Sequence, residues 1–446
     1  MSIRSKDPTF VYLVLCAGWP LFFSMLAVTN LVYQVQVAHL DPFRLLLVGS
    51  VLELTCLVFQ VPTGLFADAF SRRWAVSVGV ALSGAGFIIE GSIPQFTSIL
   101  VAQVVWGIGA TLASGAEDAW ITDEVGQERA GPLFLRASQV GGATSLVGIT
   151  DEVGQERAGP LFLRASQAGG ATSLVGIVVG VGLASIRLNL PIVIGGALLV
   201  ALGVYLFFAM TEAGYSAVRS EPMGSLASMA AGARSSIVSL RRRPLILTIL
   251  AITVVLGLSG ERVARLWQVH FLRDIGLPRF AGFSPVLWFG LISGVASLFG
   301  IAATWVIRRR LDLDNHSHVG RLLFALTAIR ALTLAGFALA ANLYVAIALI
   351  WVDSVMQDVF SPVQRAWLNR SLDPSNRATL FSVDGQADAL GQVVGGPIIG
   401  VVASGVSIRA ALVCSAGLLT LALPLLARAL GQAPILPLKP DFKSAT

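Results

Sequence analysis

Acidic residues stand inside long apolar runs of this chain. Glu53 lies in one such run, Glu117 and Asp118 in the stretch SGAEDAW, Asp353 and Asp358 in a later run, and Asp384 and Asp388 in another. An ionisable group within a bilayer is costly, so each acid is a candidate for binding a proton or a cation. The competing reading is a structural hydrogen bond or ion pair with a neighbouring helix. Glu117 and Asp118 would point about 100° apart on a helix, so at most one can face a central cavity squarely. Asp384 and Asp388 are four residues apart and share a helix face. Arg164 and Arg330 are the expected internal counter-charges, although Arg164 could also snorkel to the interface. Glu261 and Arg265 read as a local ion pair, or as a pair closing a mouth. Asn30, Tyr33 and Gln34, near the end of the first apolar run, could contact a small molecule or simply decorate the interface.

Other chemistries lack their residues. No phosphate-cradling Gly-Lys-Ser/Thr sequence, zinc-type Cys/His spacing or nucleophile elbow occurs. The expectation is therefore no enzyme, no cofactor and no metal. Cys16, Cys56 and Cys414 lie in apolar runs and read as small buried hydrophobes. His39, His270, His316 and His318 fall near expected loops and read as surface residues.

The elements that must position these groups follow from composition. The 446 residues are 55% hydrophobic and 13% charged, with a mean hydropathy of +0.78. A soluble domain carries about 25% charged residues. The apolar runs are continuous rather than alternating, which argues for membrane helices and against a membrane β-barrel. Spans of ~20 apolar residues are expected at 10–37, 43–66, 74–93, 98–121, 161–186 and 190–210, then at 245–271, 284–307, 319–340, 343–368, 379–403 and 408–430. This gives an all-α polytopic membrane protein with a first bundle over 1–210, a central loop over 211–244, a second bundle over 245–430 and a tail over 431–446. No removable signal peptide is expected, because the N-terminus runs directly into the first span.

The net charge of +6 does not call for nucleic acid. Arg72, Arg73, Arg241, Arg242, Arg243, Arg308, Arg309, Arg310, Arg370 and Arg377 all fall on one side of a twelve-span topology. The opposite loops hold scattered arginines such as Arg187, Arg279 and Arg409. The richly basic side is expected to be cytoplasmic, which places both termini inside.

Two kinds of repeat are present. Ala119-Trp120 recurs as Ala366-Trp367, Arg157-Ala158 as Arg377-Ala378, and Leu161-Phe162 as Leu380-Phe381. The fourth and fifth spans therefore look like a copy of the tenth and eleventh. Separately, 121–148 and 149–176 are the same 28 residues, differing only at Val140 and Ala168. Such likeness reads as a recent tandem duplication. The second copy runs into the fifth span, and the surplus copy is expected to lie on the cytoplasmic surface. A further pattern is glycine spacing: Gly176 with Gly180, and Gly396 with Gly400, permit close helix packing, and Pro397 could bend its helix.

Between the second and third spans stand Gly64, Asp68, Ser71, Arg72 and Arg73. Their spacing resembles the corresponding loop of the major facilitator superfamily, and SGAEDAW with DEVGQERAG resembles its drug and macrolide efflux members. The resemblance implies the major facilitator fold, twelve transmembrane helices in two six-helix bundles that rock about a central site. It implies a secondary transporter, a proton-coupled exporter of hydrophobic or cationic compounds, monomeric, in a bacterial inner membrane. An importer on the same fold and a transport-inactive sensor or scaffold are the alternatives. Glu53, Glu117, Asp118, Asp353, Asp358, Asp388, Asn30, Tyr33 and Gln34 would then bind protons or a small-molecule substrate. Gly64, Asp68, Arg72 and Arg73 would form a cytoplasmic gate with Asp123. In many proton-coupled members an arginine stands four residues before a glycine in the fourth span; here Gln103 stands four before Gly107.

Overall fold

A computed structural model describes residues 7–114, 116–125, 172–212, 244–278, 284–310, 316–370 and 377–432. Among these residues there is helix and no strand. The helices are α1 (Pro8–Gln36), α2 (Pro42–Ala69), α3 (Arg72–Ser92), α4 (Phe96–Ala113), α5 (Thr172–Ala184) and α6 (Leu190–Ala209). The second set is α7 (Pro244–His270), α8 (Pro285–Arg310), α9 (His316–Leu339), α10 (Leu343–Arg370), α11 (Arg377–Gly405) and α12 (Ile408–Thr420). A short helix, Ala116–Val125, follows α4, and another, Ala422–Leu430, continues α12. Eleven spans among the described residues are long and apolar enough to cross a membrane, and Thr172–Ala184 is a shorter apolar helix in the place of the fifth span.

Local chemistry fixes the ends. Asp7 caps α1 through Thr9 N, Asp41 caps α2 through Arg44 N, and Ser71 caps α3 through Trp74 N. Proline follows the cap of α1 and α2, where its missing N–H costs nothing. Pro20, Pro62, Pro362 and Pro397 sit inside helices, which membrane helices tolerate when neighbours satisfy the freed carbonyls. Outward faces are apolar: Val178, Phe208 and Leu332 are each more than two-thirds exposed. A face of that kind suits lipid rather than water.

The fourth span differs from expectation. It is broken at Ser114, whose backbone is extended (φ −61°, ψ 128°), so Glu117 and Asp118 belong to the short helix after α4 and not to α4 itself. Serine is a weak helix former, and the extended backbone of Ser114 ends α4.

Glycines set the helix spacing within each half. A Cβ at Gly176 or Gly180 of α5 would strike the backbone of α1 at Leu21 or Met25. In the second half, a Cβ at Gly257 of α7 would strike Asp388 O, and one at Gly391 of α11 would strike Val254 O. The contacts α1–α5 and α7–α11 are thus built alike. Trp120 and Trp367, the repeated tryptophans, are each buried in the core of their own half.

The halves meet at one end. One core cluster lies wholly in the first half and another wholly in the second. A third draws Leu40, Leu45 and Leu46 from the first half together with Phe289, Ile347 and Ile399 from the second. At this end Phe43 N donates to Ser404 Oγ at 2.9 Å, and Arg273 Nη2 donates to Leu40 O at 3.4 Å. Gly396 and Gly400 let α11 press against Ser50 and Phe43 of α2. At the opposite end, which carries the α2–α3 loop, a Cβ at Gly64 would meet nothing within 4 Å among the described residues.

Candidate functional site

The second half carries a cavity of about 680 Å³, and every residue lining it comes from α7–α12. Asp353 and Asp358 reach it from α10, Asp384 and Asp388 from α11, and Arg330 from α9. Asp353 accepts a hydrogen bond from Arg330 Nε at 3.3 Å, and both are buried. Asp384 accepts from Thr253 Oγ1 at 2.6 Å, and Thr253 accepts from Gln364 Nε2 at 3.1 Å. Asp388 accepts from Gln392 Nε2 at 2.8 Å. Asp358 lies against Gly300 of α8, whose lack of a side chain makes room for the carboxylate. Four aspartates thus line a pocket whose wall carries one arginine among its described lining residues. Trp267, Leu256 and Ile350 add apolar surface to the same wall.

The expected sharing of a face by Asp384 and Asp388 is seen, since both reach this cavity. Glu53 is half-buried on α2, away from that lining. Glu117 is half-buried in the helix after α4. The side chains of Asp118, Asp123, Asp68, Glu261 and Arg308–Arg310 lie outside the described set. So do Arg164, Arg241–Arg243 and nearly all of the duplicated segment, including the placement of its surplus copy.

Asn30, Tyr33 and Gln34 gather instead around Glu90 of α3, an acid near the end of its apolar run. Glu90 is fully buried. Its Oε1 accepts from Asn30 Nδ2 at 3.0 Å and from Gln34 Nε2 at 2.6 Å. Its Oε2 accepts from Gln103 Nε2 at 3.0 Å. Tyr33 OH donates to the Glu90 carbonyl at 3.0 Å. The glutamine at position 103 therefore has a structural partner, a carboxyl group thirteen residues earlier in the chain. Two signals in the sequence pointed here: amides four residues apart at Asn30 and Gln34, and Gln103 within an apolar run.

At the α2–α3 loop, Glu212 is the acid that engages described groups. Its Oε1 accepts from Ser71 Oγ at 2.7 Å and from Arg73 N at 3.0 Å. Arg73 also lies over the Phe207 ring at 5.4 Å. Glu124, on the short helix after α4, accepts from Thr211 Oγ1 at 2.6 Å. The expected pairing of the loop with Asp123 lies outside the described side chains.

Two expectations are corrected. His270 is not a surface residue: it is fully buried, with Nδ1 at 2.7 Å from Asp274 Oδ2 and Nε2 at 3.2 Å from Phe337 O. It ends α7 in the interface between helices, where a π-helical turn, Phe271–Ile275, brings Asp274 back to it. Of the cysteines, only Cys16 is buried; Cys56 is half-buried and Cys414 is exposed on the apolar outside. An apolar run fixes the depth of a residue but not which face it occupies.

No family model matches the chain. An uncharacterized MFS-type transporter of Bacillus subtilis (strain 168), YxaM, is 20% identical over 372 residues, 83% of either chain. Among solved structures, the nucleoside transporter NupG aligns with a TM-score of 0.67 at 12% identity, over 96% of this chain and 100% of that one. A bacterial homolog of the human lysosomal transporter Spinster, inward-facing and unoccupied, gives 0.67 at 17% identity, over 97% and 98%. A POT family transporter in complex with a thioalcohol-conjugated peptide gives 0.65 at 13% identity, over 95% of each. At these identities the likeness carries architecture and nothing finer. The chain is an all-α polytopic membrane protein whose helices form the two six-helix bundles of the major facilitator fold.

Proposed function

We propose that the chain is a secondary transporter that works by alternating access and moves hydrophobic, cationic small molecules out of the cell in exchange for protons. The observation that carries this reading is the aspartate-rich cavity: Asp353, Asp358, Asp384 and Asp388 line one space of about 680 Å³, with Arg330 among them. Such a wall attracts cations, and its apolar portion suits an organic body attached to the charge. A proton can neutralise a carboxylate there and so compete with a cationic substrate for the same place. Joining of the halves at one end supports a two-state device, because rocking must break that seal and form another. That the Bacillus subtilis relative is an MFS-type transporter supports the same reading.

With both termini in the cytoplasm, as the arginine distribution suggests, the sealed end is the outer one and the cavity opens inward. The membrane is then the bacterial inner membrane. Exporters load their cargo in this state.

The test uses the full chain reconstituted in vesicles with an imposed proton gradient. A lipophilic organic cation should be moved against its gradient, and a protonophore should stop it. Asp358→Asn and Asp388→Asn should each weaken cation binding by about tenfold, near 1.4 kcal/mol. Binding of anionic compounds with indifference to cations, or transport unaffected by the protonophore, would overturn the proposal.

A further inference from the structure

The Glu90 cluster lies outside the aspartate-rich cavity and has its own chemistry. Glu90 is fully buried, and the groups in hydrogen-bond contact with its two carboxyl oxygens are the side-chain amides of Asn30, Gln34 and Gln103. A buried carboxylate held by amides alone has no full counter-charge in contact, a costly arrangement in a low-dielectric interior. Amides differ from guanidinium or ammonium groups in one respect: they carry a donor on one side and an acceptor on the other.

The acceptor sides are the second observation. Gln34 Oε1 and Gln103 Oε1 are buried and have no hydrogen-bond partner among the described residues. Gln34 is fully buried and Gln103 is 2% exposed. Turning the Gln103 amide by half a rotation would point its idle carbonyl at Glu90 Oε2 and sacrifice no carbonyl bond. The N–H that now serves the carboxylate would be replaced by an acceptor for a carboxylic O–H. Both protonation states of Glu90 can therefore be satisfied by the same side chain.

From this we propose that Glu90 is a proton-binding site distinct from the aspartate-rich cavity, with Gln103 as the amide that turns to match its charge. The ligand is one proton, which bonds to Oε2 and is donated to Gln103 Oε1; on release the amide turns back and donates its N–H. A guanidinium at position 103 would satisfy only the anion, whereas an amide serves both forms. The surrounding groups permit this. Tyr33 of α1 contacts the Glu90 backbone carbonyl, Asn189 donates to Gly91 O next to it, and Gln103 of α4 is neutral. Among the described residues, the cation whose charge reaches Glu90 is Arg265 of α7, which belongs to the other half of the molecule. Proton binding at Glu90 would therefore weaken an electrostatic attraction between the halves near their sealed end. That consequence rests on the transporter reading above; the proton site itself does not.

The experiment is an infrared difference spectrum of the purified full chain between acidic and alkaline buffer. A buried carboxylic acid gives a carbonyl stretching band that vanishes on deprotonation. Glu90→Gln, an isosteric neutral change, is expected to remove that band. Gln103→Arg, which leaves Glu90 in place but fixes its anion, is expected to remove it too. Asp358→Asn removes only what the cavity carboxylate contributes and should leave the Glu90 band in place. Persistence of the band in Glu90→Gln, or in Gln103→Arg, would overturn the proposal. So would its loss on adding sodium at constant pH, since that marks a metal-cation site. No substrate is needed, so a chain that moves no solute would sink the transport reading and leave this one standing.

Discussion

Arg330 of α9 and Asp353 of α10 meet at 3.3 Å, each more than nine-tenths buried. Removing one member of such a pair strands the other in a low-dielectric wall, a loss of about 3–5 kcal/mol, whereas replacing both by apolar residues is often neutral. Arg330→Met alone should therefore lower the thermal unfolding midpoint markedly in detergent. Arg330→Met combined with Asp353→Leu should recover most of it. Equal midpoints for the single and double variants would mean that the pair adds nothing to the fold.

Asp358 owes its position to Gly300. An added Cβ there would collide with Asp358 Oδ2, the mobile tip of a side chain rather than backbone. The carboxylate can swing away at little cost, so Gly300→Ala should fold with a stability change within about 1 kcal/mol. Cation binding in the cavity should nevertheless weaken, because the carboxylate no longer points where it did. Calorimetric titration with a lipophilic cation checks this, and unchanged affinity would separate Asp358 from binding.

The paired glycines of α5 give a stability prediction with a clear sign. Gly180 touches the backbone of α1 at Met25, and nothing flexible can yield there. Gly180→Leu must push α5 outward, with an overpacking cost of about 1–3 kcal/mol or more. Gly182, four positions before Ile186, has open space around it, so Gly182→Leu is the control. A fluorescence-detected melting curve should fall for the first and hold for the second.

These glycines were legible because spacing by four places both on one face, whatever the partner helix. Twelve apolar runs were legible for the same kind of reason: length and composition alone decide them. Glu90 was not, because it stands two residues before the end of α3, where an acid ordinarily meets water. Its burial depends on α1 and α4 closing over it, which is a tertiary fact. His270 is hidden for the same reason: a helix end looks like surface until another helix, here α9 with Phe337, covers it. The aspartates of α10 and α11 were recognisable as membrane-embedded acids, but their convergence with Arg330 depends on the order in which the helices pack. The break at Ser114 hid because Ala113 and Ala116 beside it are good helix formers.

Gly64 and Gly396 lie toward opposite ends of the molecule and stand in opposite surroundings. Gly396 is pressed against Ser50, while a Cβ at Gly64 would meet nothing within 4 Å. If rocking exchanges the two ends, a bulky residue at each should act in opposite directions. Gly396→Leu clashes in the conformation seen here and should shift the population away from it. Gly64→Leu is tolerated here and should obstruct closure of its own end, which holds the protein in this conformation. Leu46, fully buried in the seal, gives a reporter when changed to cysteine. In a Leu46→Cys background that also lacks the native cysteines, a membrane-impermeant thiol reagent should label faster with Gly396→Leu and more slowly with Gly64→Leu. A tenfold change in labelling rate corresponds to a population shift of about 1.4 kcal/mol. Labelling that changes in the same direction for both variants would mean that the ends do not exchange, and that the seal near Ser50 is a fixed part of the fold.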